Sequence, residues 1–320
     1  MVRYVQTVQG KVSNKKTGYF RRYLRSQWSI AVKHRQLYVL MFPFVLIFSV
    51  FTIFPVLLSA VLSFTSYNIL EFPKFVGWDN YVRMFIYDDV FPTALKNTFA
   101  FALITGPISY LLCFFFAWII NDLPPRIRSV LTLVFYAPSI SGNLFAIWLL
   151  VFSGDMYGYL NSYLMRAGFI NDPVQWLNDP RYMFSIVVIV QLWVSLGTSF
   201  LSMRAGFTTI DKQYYEAAAV DGIRDRWQEL WYITLPMMAP HLMLSAVLSI
   251  TAAFSVSNVA VALTGMPSTN YATHTLLTHM MDYGTIRYER GYASAIATLL
   301  FLVSIGLNRL IQSRLKKWST

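Results

Sequence analysis

The chain has 320 residues, of which 56% are hydrophobic and 13% are charged, and its formal net charge is +11. Soluble domains carry about 25% charged residues, so the composition excludes an ordinary soluble protein and favours a membrane protein. Nine of the 26 basic residues lie within residues 1–35 with no acid among them, directly before an apolar stretch, and such a flank indicates contact with anionic lipid rather than with nucleic acid.

Six uncharged stretches predict an all-α, polytopic membrane protein. A helix needs roughly 20 residues at about 1.5 Å each to cross about 30 Å of hydrocarbon, and all six stretches reach this length, the last with its flanking residues. Their continuous apolar character excludes the alternating pattern of a β-barrel. The six predicted spans are residues 37–64, 97–120, 129–154, 182–203, 236 to about 262, and 291–308.

Lysine and arginine are unevenly distributed between the two sides of this arrangement. With residue 1 in the cytoplasm, the inside segments hold 19 basic residues and the outside loops hold seven, and basic residues favour the cytoplasmic side. We therefore expect a cell-membrane protein with both termini inside. It would consist of a basic cytoplasmic segment 1–36, a six-helix domain 37–311 and a basic cytoplasmic tail 312–320.

Helix-breaking residues lie inside several spans. Pro43, Pro55, Pro107 and Pro138 each remove a backbone donor and predict kinks. These kinks either line a pathway that opens and closes or belong to packed bundle helices. Cys113, the only cysteine, can form no intrachain disulfide and is expected to be a core residue.

The three expected outside loops combine aromatic residues with turn formers. Residues 66–96 contain the sequence Phe-Val-Gly-Trp-Asp-Asn-Tyr, and residues 153–181 contain two Asp-Pro pairs, which favour turns. The loops are interpreted either as interfacial caps or as a docking surface for an external partner.

The polar segment between the fourth and fifth spans predicts two short helices on the inner face. Asp211 is a candidate N-cap for a helix that runs to about Val220, and Gly222 would end it because glycine tolerates the left-handed conformation. Asp225 and Gln228 form a capping-box-like start for a second helix. The segment is either a ledge that docks a partner or a surface loop that packs only on its own bundle.

This segment resembles the EAA signature of permease subunits in binding-protein-dependent ABC importers, which reads Glu-Ala-Ala, three residues, Gly, and later Ile-x-Leu-Pro. Its flanking Tyr and Asp resemble the carbohydrate-uptake (maltose- and oligosaccharide-like) permeases, and further agreement extends over about residues 37–310. Ten residues separate Gly222 from Ile233, whereas the family usually has nine. The last outer loop has Gly-Met-Pro where the family often has Gly-Gly-Pro. The matching positions are Tyr215, Glu216, Ala217, Ala218, Asp221, Gly222, Ile233, Leu235 and Pro236.

The resemblance implies a type I importer permease fold with six transmembrane helices and a cytoplasmic coupling-helix loop at about residues 204–235. It also implies a second permease, two ATPase subunits that bind ATP and Mg²⁺, and an extracytoplasmic solute-binding protein. The chain has no Gly-x4-Gly-Lys-Ser/Thr sequence to bind phosphates, so we expect no cofactor on it and no enzymatic activity.

In this scheme, roles follow for the matching residues. Glu216 would be the anchoring charge, Ala217 and Ala218 would form the close-contact surface, and Gly222 would set the turn. Leu235 and Pro236 would link the loop to the membrane helix.

Polar and aromatic side chains inside the spans are candidates for a sugar pathway. A sugar needs hydrogen bonds and packs its apolar faces on aromatic rings, although the same side chains could equally hold helices together. None of them is charged, which favours a neutral solute. The candidates are Tyr136, Ser139, Asn143, Trp148, Gln191, Trp193, Ser255, Ser257 and Asn258.

Other functions are less compatible with the sequence. The permease could instead carry a non-sugar solute such as a glycerol-phosphate-like compound. An autonomous channel or secondary transporter would require intramembrane ionisable residues for ion coupling, and the spans have essentially none. A membrane-embedded enzyme would require a catalytic set that the sequence does not offer.

Overall fold

The computed structural model describes residues 35–142 and 145–316, and helices form nearly all of the regular structure within them. The exception is an antiparallel pair of two-residue strands, β1 (Thr65–Ser66) and β2 (Lys74–Phe75), in which Thr65 faces Phe75 and Ser66 faces Lys74. The predicted helical class is confirmed. Most of the predicted segment 1–36 and the end of the tail lie outside the described residues.

Five helices in the described ranges are long and apolar enough to cross a membrane: Arg35–Leu62, Phe91–Asn121, Pro180–Thr209, Ala239–Thr264 and Arg290–Ser313. The predicted span 129–154 is the exception. It contains two helices, Pro125–Ile140 and Phe145–Val151, and each is too short to cross about 30 Å of hydrocarbon alone.

The four prolines that predict kinks behave differently from one another. Pro138 lies in the last turn of the helix Pro125–Ile140, and the π-helix Ser49–Ile53 directly precedes the segment that contains Pro55. A proline removes a donor and its ring clashes with the preceding turn, which accounts for the π-helix before Pro55. The prolines that lie within continuous α-helices are Pro43 and Pro107.

Two further breaks interrupt long helices without any proline. One falls at Gly197, between Pro180–Ser195 and Thr198–Thr209, and the other at Ser255, between Ala239–Phe254 and Ser257–Thr264. A β-carbon at Gly197 would lie 2.4 Å from Cβ of Ser139, so a larger residue cannot occupy the first break. Close contact, rather than proline, defines this position.

The chain divides into two units, the first ending at Leu58 and the second beginning at Ser59. In the described part of the first unit, no residue of the helix Arg35–Phe48 is buried. A helix that is apolar on all sides is typical of a membrane span. All the contacts described below belong to the second unit.

The core of the second unit consists of three clusters along the bundle. The first surrounds Phe91 and Tyr292, the second surrounds Phe101 and Val187, and the third surrounds Cys113. Cys113 is fully buried, which confirms its expected place in the core.

The helices before and after the 204–235 loop pack closely through small residues. Ser245 Oγ donates to the carbonyl of Ser199 at 3.1 Å, and both serines are buried. A β-carbon at Gly206 would lie 2.9 Å from Cβ of His241. Small residues permit this approach and hydroxyls join the helices across it, so the two helices form one packed pair.

Shorter helices occupy the connections. The end of the bundle with the 204–235 loop is called the ledge end below, and the opposite end carries the longer connections before Phe91, after Val151 and before Arg290. The last of the five long helices continues beyond Ser313 and ends at Lys316. The short elements are Asp79–Val82, Tyr159–Arg166, Lys212–Val220, Arg226–Glu229, Leu235–Met237 and Leu276–Met281, with the π-helices Arg83–Tyr87, Leu230–Thr234 and Asp282–Ile286 and the 3-10 helix Thr269–Tyr271.

Candidate functional site

The first helix of the 204–235 loop, called the ledge helix, spans Lys212–Val220. Asp211 caps it as predicted, with its carboxylate accepting from the backbone N–H of Gln213 at 3.1 Å. Gly222 follows with φ +94°, which is the left-handed conformation expected there. The predicted helix and its two boundaries are confirmed.

Two backbone hydrogen bonds close the C-terminus of the ledge helix. The N–H of Ile223 donates to the carbonyl of Ala218 at 3.0 Å, and the N–H of Gly222 donates to the carbonyl of Ala219 at 3.3 Å. This pattern is a Schellman motif, which satisfies carbonyls that a helix end leaves open. The ledge helix therefore ends in a defined turn.

The second predicted helix begins at the expected place but without the expected capping box. Arg226–Glu229 follows Asp225, whose side chain makes no capping hydrogen bond. The side chain of Gln228 instead accepts from the N–H of Arg224 at 3.4 Å. The π-helix Leu230–Thr234 comes next, and its i→i+5 pattern takes up an additional residue per turn in the interval that is one residue longer than the usual signature.

Long-range contacts fasten the loop to the bundle. Arg226 forms an ion pair with Asp122, directly after the helix Phe91–Asn121, and its guanidinium lies 5.2 Å from the ring centre of Trp118. The same tryptophan packs on Trp227 with ring centres 5.2 Å apart. These partners are separated by about a hundred residues, so local sequence patterns do not reveal them.

A further contact joins the ledge helix to the π-helix. The hydroxyls of Tyr215 and Thr234 lie 3.0 Å apart, and Thr234 is buried. The ledge helix is thus held along its length as well as at its ends.

The ledge helix has an inner and an outer face. Ala218 is 7% exposed and packs inward, whereas Glu216 and Ala217 are exposed. Val220, 88% exposed, lies on the outer side with Tyr214. Of the other signature residues, Asp221, Gly222 and Pro236 are exposed, Leu235 is half-buried and Ile233 is buried.

The predicted pathway residues fall into separate groups. Trp148 and Trp193 meet edge to face with ring centres 5.5 Å apart, and Nε1 of Trp148 is buried with no hydrogen-bond partner among the described residues. Gln191 is buried and donates to the carbonyl of Ala252 at 3.1 Å, close to the helix break at Ser255. Its amide is therefore engaged in holding two helices together.

The other candidates lie elsewhere. Tyr136 lines a cleft near the ledge end, and Ser139 lies against Gly197. Ser257 is fully buried, whereas Asn258 and Ser255 are exposed. Asn143 lies outside the described residues.

A buried polar cluster at the opposite end was not predicted. The carboxylate of Asp88 accepts from the hydroxyl of Tyr292 at 2.6 Å and from Nε2 of His279 at 2.9 Å, and Nδ1 of His279 lies 3.1 Å from Nε2 of His274. Burial raises the pKa of Asp88, but the hydrogen bonds from His279 and Tyr292 outweigh it and bring the pKa well below its usual range. Burial and the neighbouring His279 lower the pKa of His274 to about 4.

A second unpredicted centre orders the connection after Val151. Asn161 is fully buried, and its side-chain amide donates to the carbonyls of Ser153, Asp155 and Val174. Its carbonyl oxygen accepts from Trp176 Nε1 at 2.8 Å. One asparagine side chain thus provides hydrogen-bond partners for backbone groups of a connection that has little regular structure.

Comparisons with known proteins agree that the chain is similar to membrane components of transport systems. A sequence profile described as "Binding-protein-dependent transport system inner membrane component" matches residues 123–317. The probable ABC transporter permease protein YesP of Bacillus subtilis is 32% identical over 280 residues, covering 86% of this chain and 88% of that protein.

Several relatives have names that specify a cargo. The lactose transport system permease protein LacF of Rhizobium radiobacter is 31% identical over 211 residues, covering 65% of this chain and 68% of its own length. The arabinooligosaccharides transport system permease protein AraP of Bacillus subtilis is 28% identical over 272 residues, covering 83% and 84%.

The fold also matches a solved structure. A chain from the crystal structure of a bacterial ABC transporter involved in the import of the acidic polysaccharide alginate superposes with a TM-score of 0.76 at 22% identity, covering 92% of this chain and 99% of that chain.

Proposed function

This chain belongs to the family of binding-protein-dependent transport system inner membrane components, and from that premise we propose that it is a permease subunit of an ATP-driven sugar or oligosaccharide importer. Its partners would be a second permease, two ATPase subunits and an extracytoplasmic binding protein. The two short helices Pro125–Ile140 and Phe145–Val151 would together make the sixth membrane crossing. The excess of basic residues on the ledge side supports a cytoplasmic ledge and cytoplasmic termini.

Two observations support a carbohydrate as the cargo. Relatives of similar length carry names that specify lactose and arabino-oligosaccharides. In this chain, Trp148 and Trp193 form an aromatic pair within the bundle, and aromatic rings pack against the apolar faces of sugars. Trp148 Nε1 has no partner among the described residues and could donate to a hydroxyl after a side-chain movement.

The ledge helix would transmit work from a separate ATPase. An element that transmits a displacement must be stiff. This helix is capped at both ends, and its Tyr215 is hydrogen-bonded to Thr234. The Arg226–Asp122 pair joins the same loop to the helix Phe91–Asn121. A displacement of the ledge would therefore move several membrane helices together, since the flanking helices pack as one pair.

The single observation that carries this proposal is the anchored ledge helix with an exposed outer face. Glu216 and Ala217 lie on that face, where Glu216 can pair with an arginine or with backbone donors of the ATPase. Ala217 allows close approach. The buried Ala218 would set the distance of the ledge helix from its own bundle rather than contact the ATPase.

The test compares two charge reversals in the complete importer reconstituted in proteoliposomes. Glu216→Lys should abolish ATP-driven uptake of labelled lactose or arabino-oligosaccharides and reduce the amount of ATPase that co-purifies. Asp172→Lys, an equal change at an exposed position at the opposite end, should leave ATPase binding unchanged. Normal uptake and normal ATPase binding by Glu216→Lys would contradict the proposal.

A further inference from the structure

An open cleft of about 460 Å³ lies near the ledge end, between the helices Pro125–Ile140 and Thr198–Thr209. Arg128 and Arg204 contribute the charged part of its lining, and Tyr136 contributes a phenol. None of the side chains that line this cleft is acidic. The cleft is therefore positively charged on two sides.

The two arginines converge on one residue. Arg128 Nη2 donates to the backbone carbonyl of Asn121 at 2.6 Å, and Arg204 Nη1 donates to the side-chain oxygen of Asn121 at 3.1 Å. Two like charges are thus held close together, which is unfavourable unless an anion lies between or beside them.

Neither arginine has a carboxylate partner in the described part of the chain. The acid nearest to Arg128 along the chain, Asp122, is paired with Arg226 instead. Arg128 uses Nε and Nη2 for carbonyls of Asn121 and Leu123. These bonds leave its Nη1 available for a ligand.

Arg204 is also incompletely satisfied. Its Nε is buried and has no hydrogen-bond partner among the described residues, and a buried donor without an acceptor is destabilising. An anion in the cleft would compensate the charge and, after a small rotation of the guanidinium, could accept from this N–H as well.

We propose that this cleft binds the phosphate of an anionic lipid head group. Both arginines lie at the ends of bundle helices, where lipid phosphates are found, and basic pockets between membrane helices bind such head groups. Arginine is well suited to phosphate because its planar fork donates two hydrogen bonds. The exposed apolar side chain of Leu133 lies on the same wall and would contact the acyl chains.

The bound phosphate would also stabilise the attachment of the 204–235 loop to the bundle. Arg128 and Thr208 line both this cleft and the adjoining cavity that contains Asp122, Tyr215 and Arg226. By compensating the two positive charges, the phosphate would keep both arginines hydrogen-bonded to Asn121. The next residue, Asp122, forms the ion pair that fastens the loop. The site depends only on the crossing of the membrane by the bundle, not on the cargo.

The test uses native mass spectrometry of the purified, assembled importer. Palmitoyl-oleoyl-phosphatidylglycerol should remain bound to the complex at concentrations at which the corresponding phosphatidylcholine does not. Arg204→Gln should weaken phosphatidylglycerol binding about tenfold, because it removes a hydrogen bond to a charged group. Arg204→Lys, which keeps the charge, should retain more of the binding than Arg204→Gln.

Arg126→Gln is the matched control, since Arg126 is exposed on the same helix and does not line the cleft. It should leave binding unchanged. Equal binding of the two lipids, or an equal loss in Arg126→Gln and Arg204→Gln, would overturn the proposal. Occupation by inorganic phosphate that excludes phosphatidylglycerol would also overturn it, as would a cleft that neither probe enters because a partner subunit's carboxylate fills it.

Discussion

His274 shows how one buried side chain sets a pH dependence. It is 1% exposed, touches His279 through Nε2, and has no partner for Nδ1 among the described residues. The structure therefore favours its neutral form, with a pKa of about 4 against an ordinary value of 6.5. Protonation would place a positive charge on a buried ring that lies against His279.

The free energy of unfolding should consequently fall as the pH decreases from about 6.5 to about 4. In that window the unfolded chain binds a proton at His274 and the folded chain does not, and the difference amounts to about 3 kcal/mol. Asp88, with its lowered pKa, keeps its stabilising contribution throughout this window and loses it only below about pH 4.

His274→Gln removes this titration. We expect thermal unfolding of the purified importer, followed by tryptophan fluorescence, to depend less on pH between 6.5 and 4 in His274→Gln than in the wild type. Equal slopes of Tm against pH in the two proteins would contradict the assignment.

Single buried residues were also the least predictable from the sequence. Asn161 looks like any loop asparagine, yet its side chain bonds five groups across the connection after Val151. Gln191 attracts attention as an amide in an apolar span, but its partner, the carbonyl of Ala252, is known only once the helix break at Ser255 is seen. The residue type shows that a buried amide needs a hydrogen-bond partner, but it does not show where in the fold that partner lies.

At the scale of an element, the ledge helix depends on Gly222. Its φ of +94° is one that an L-residue adopts only with strain, and a β-carbon there would meet nothing within 4 Å. A substitution would therefore act through the backbone alone. Alanine should cost about 1–2 kcal/mol, and asparagine, which tolerates the left-handed region, should cost less.

This cost should appear as faster amide exchange in the ledge. In Gly222→Ala, the amides of residues 218–223 of the assembled importer should exchange about tenfold faster or more, since 1.4 kcal/mol corresponds to a factor of ten. Gly168→Ala is the matched control, because Gly168 also has a positive φ and open space around it but lies at the opposite end. Unchanged exchange of the ledge in Gly222→Ala would show that the turn does not hold the helix.

Elements defined by local signals were predictable, and elements defined by packing were not. Asp211 and Gly222 mark the ledge helix within a dozen residues, so its limits follow from capping rules. The breaks at Gly197 and Ser255 have no proline, and at the first one a larger residue would clash with Ser139. Pro107 lies within a continuous α-helix, so a proline in the sequence does not by itself mark a helix boundary.

At the scale of the whole molecule, the family followed from a short motif together with the order of the apolar stretches. The motif residues are contiguous or nearly so, and the profile match over residues 123–317 agrees with them. The number of continuous helices did not follow, because hydropathy cannot distinguish one long helix from the pair Pro125–Ile140 and Phe145–Val151. The attachment of the ledge through Asp122 and Arg226 depends on tertiary structure and was equally invisible.

The central claim is that the ledge helix receives work from a separate ATPase subunit. The chain is suited to a direct test because its one cysteine, Cys113, is fully buried and can be replaced by alanine to give a cysteine-free background. Ala217→Cys would place a thiol on the exposed face of the ledge helix. Phe72→Cys, at a position that is 92% exposed at the opposite end, serves as the control.

The decisive measurement is photo-cross-linking of the assembled importer with a maleimide–benzophenone attached to each cysteine in turn. We predict that Ala217→Cys forms a covalent product with the ATPase subunit, that its yield changes when ATP is added, and that Phe72→Cys forms none. An assembled, transporting complex in which Ala217→Cys yields no ATPase product, or in which Phe72→Cys does, would contradict the account.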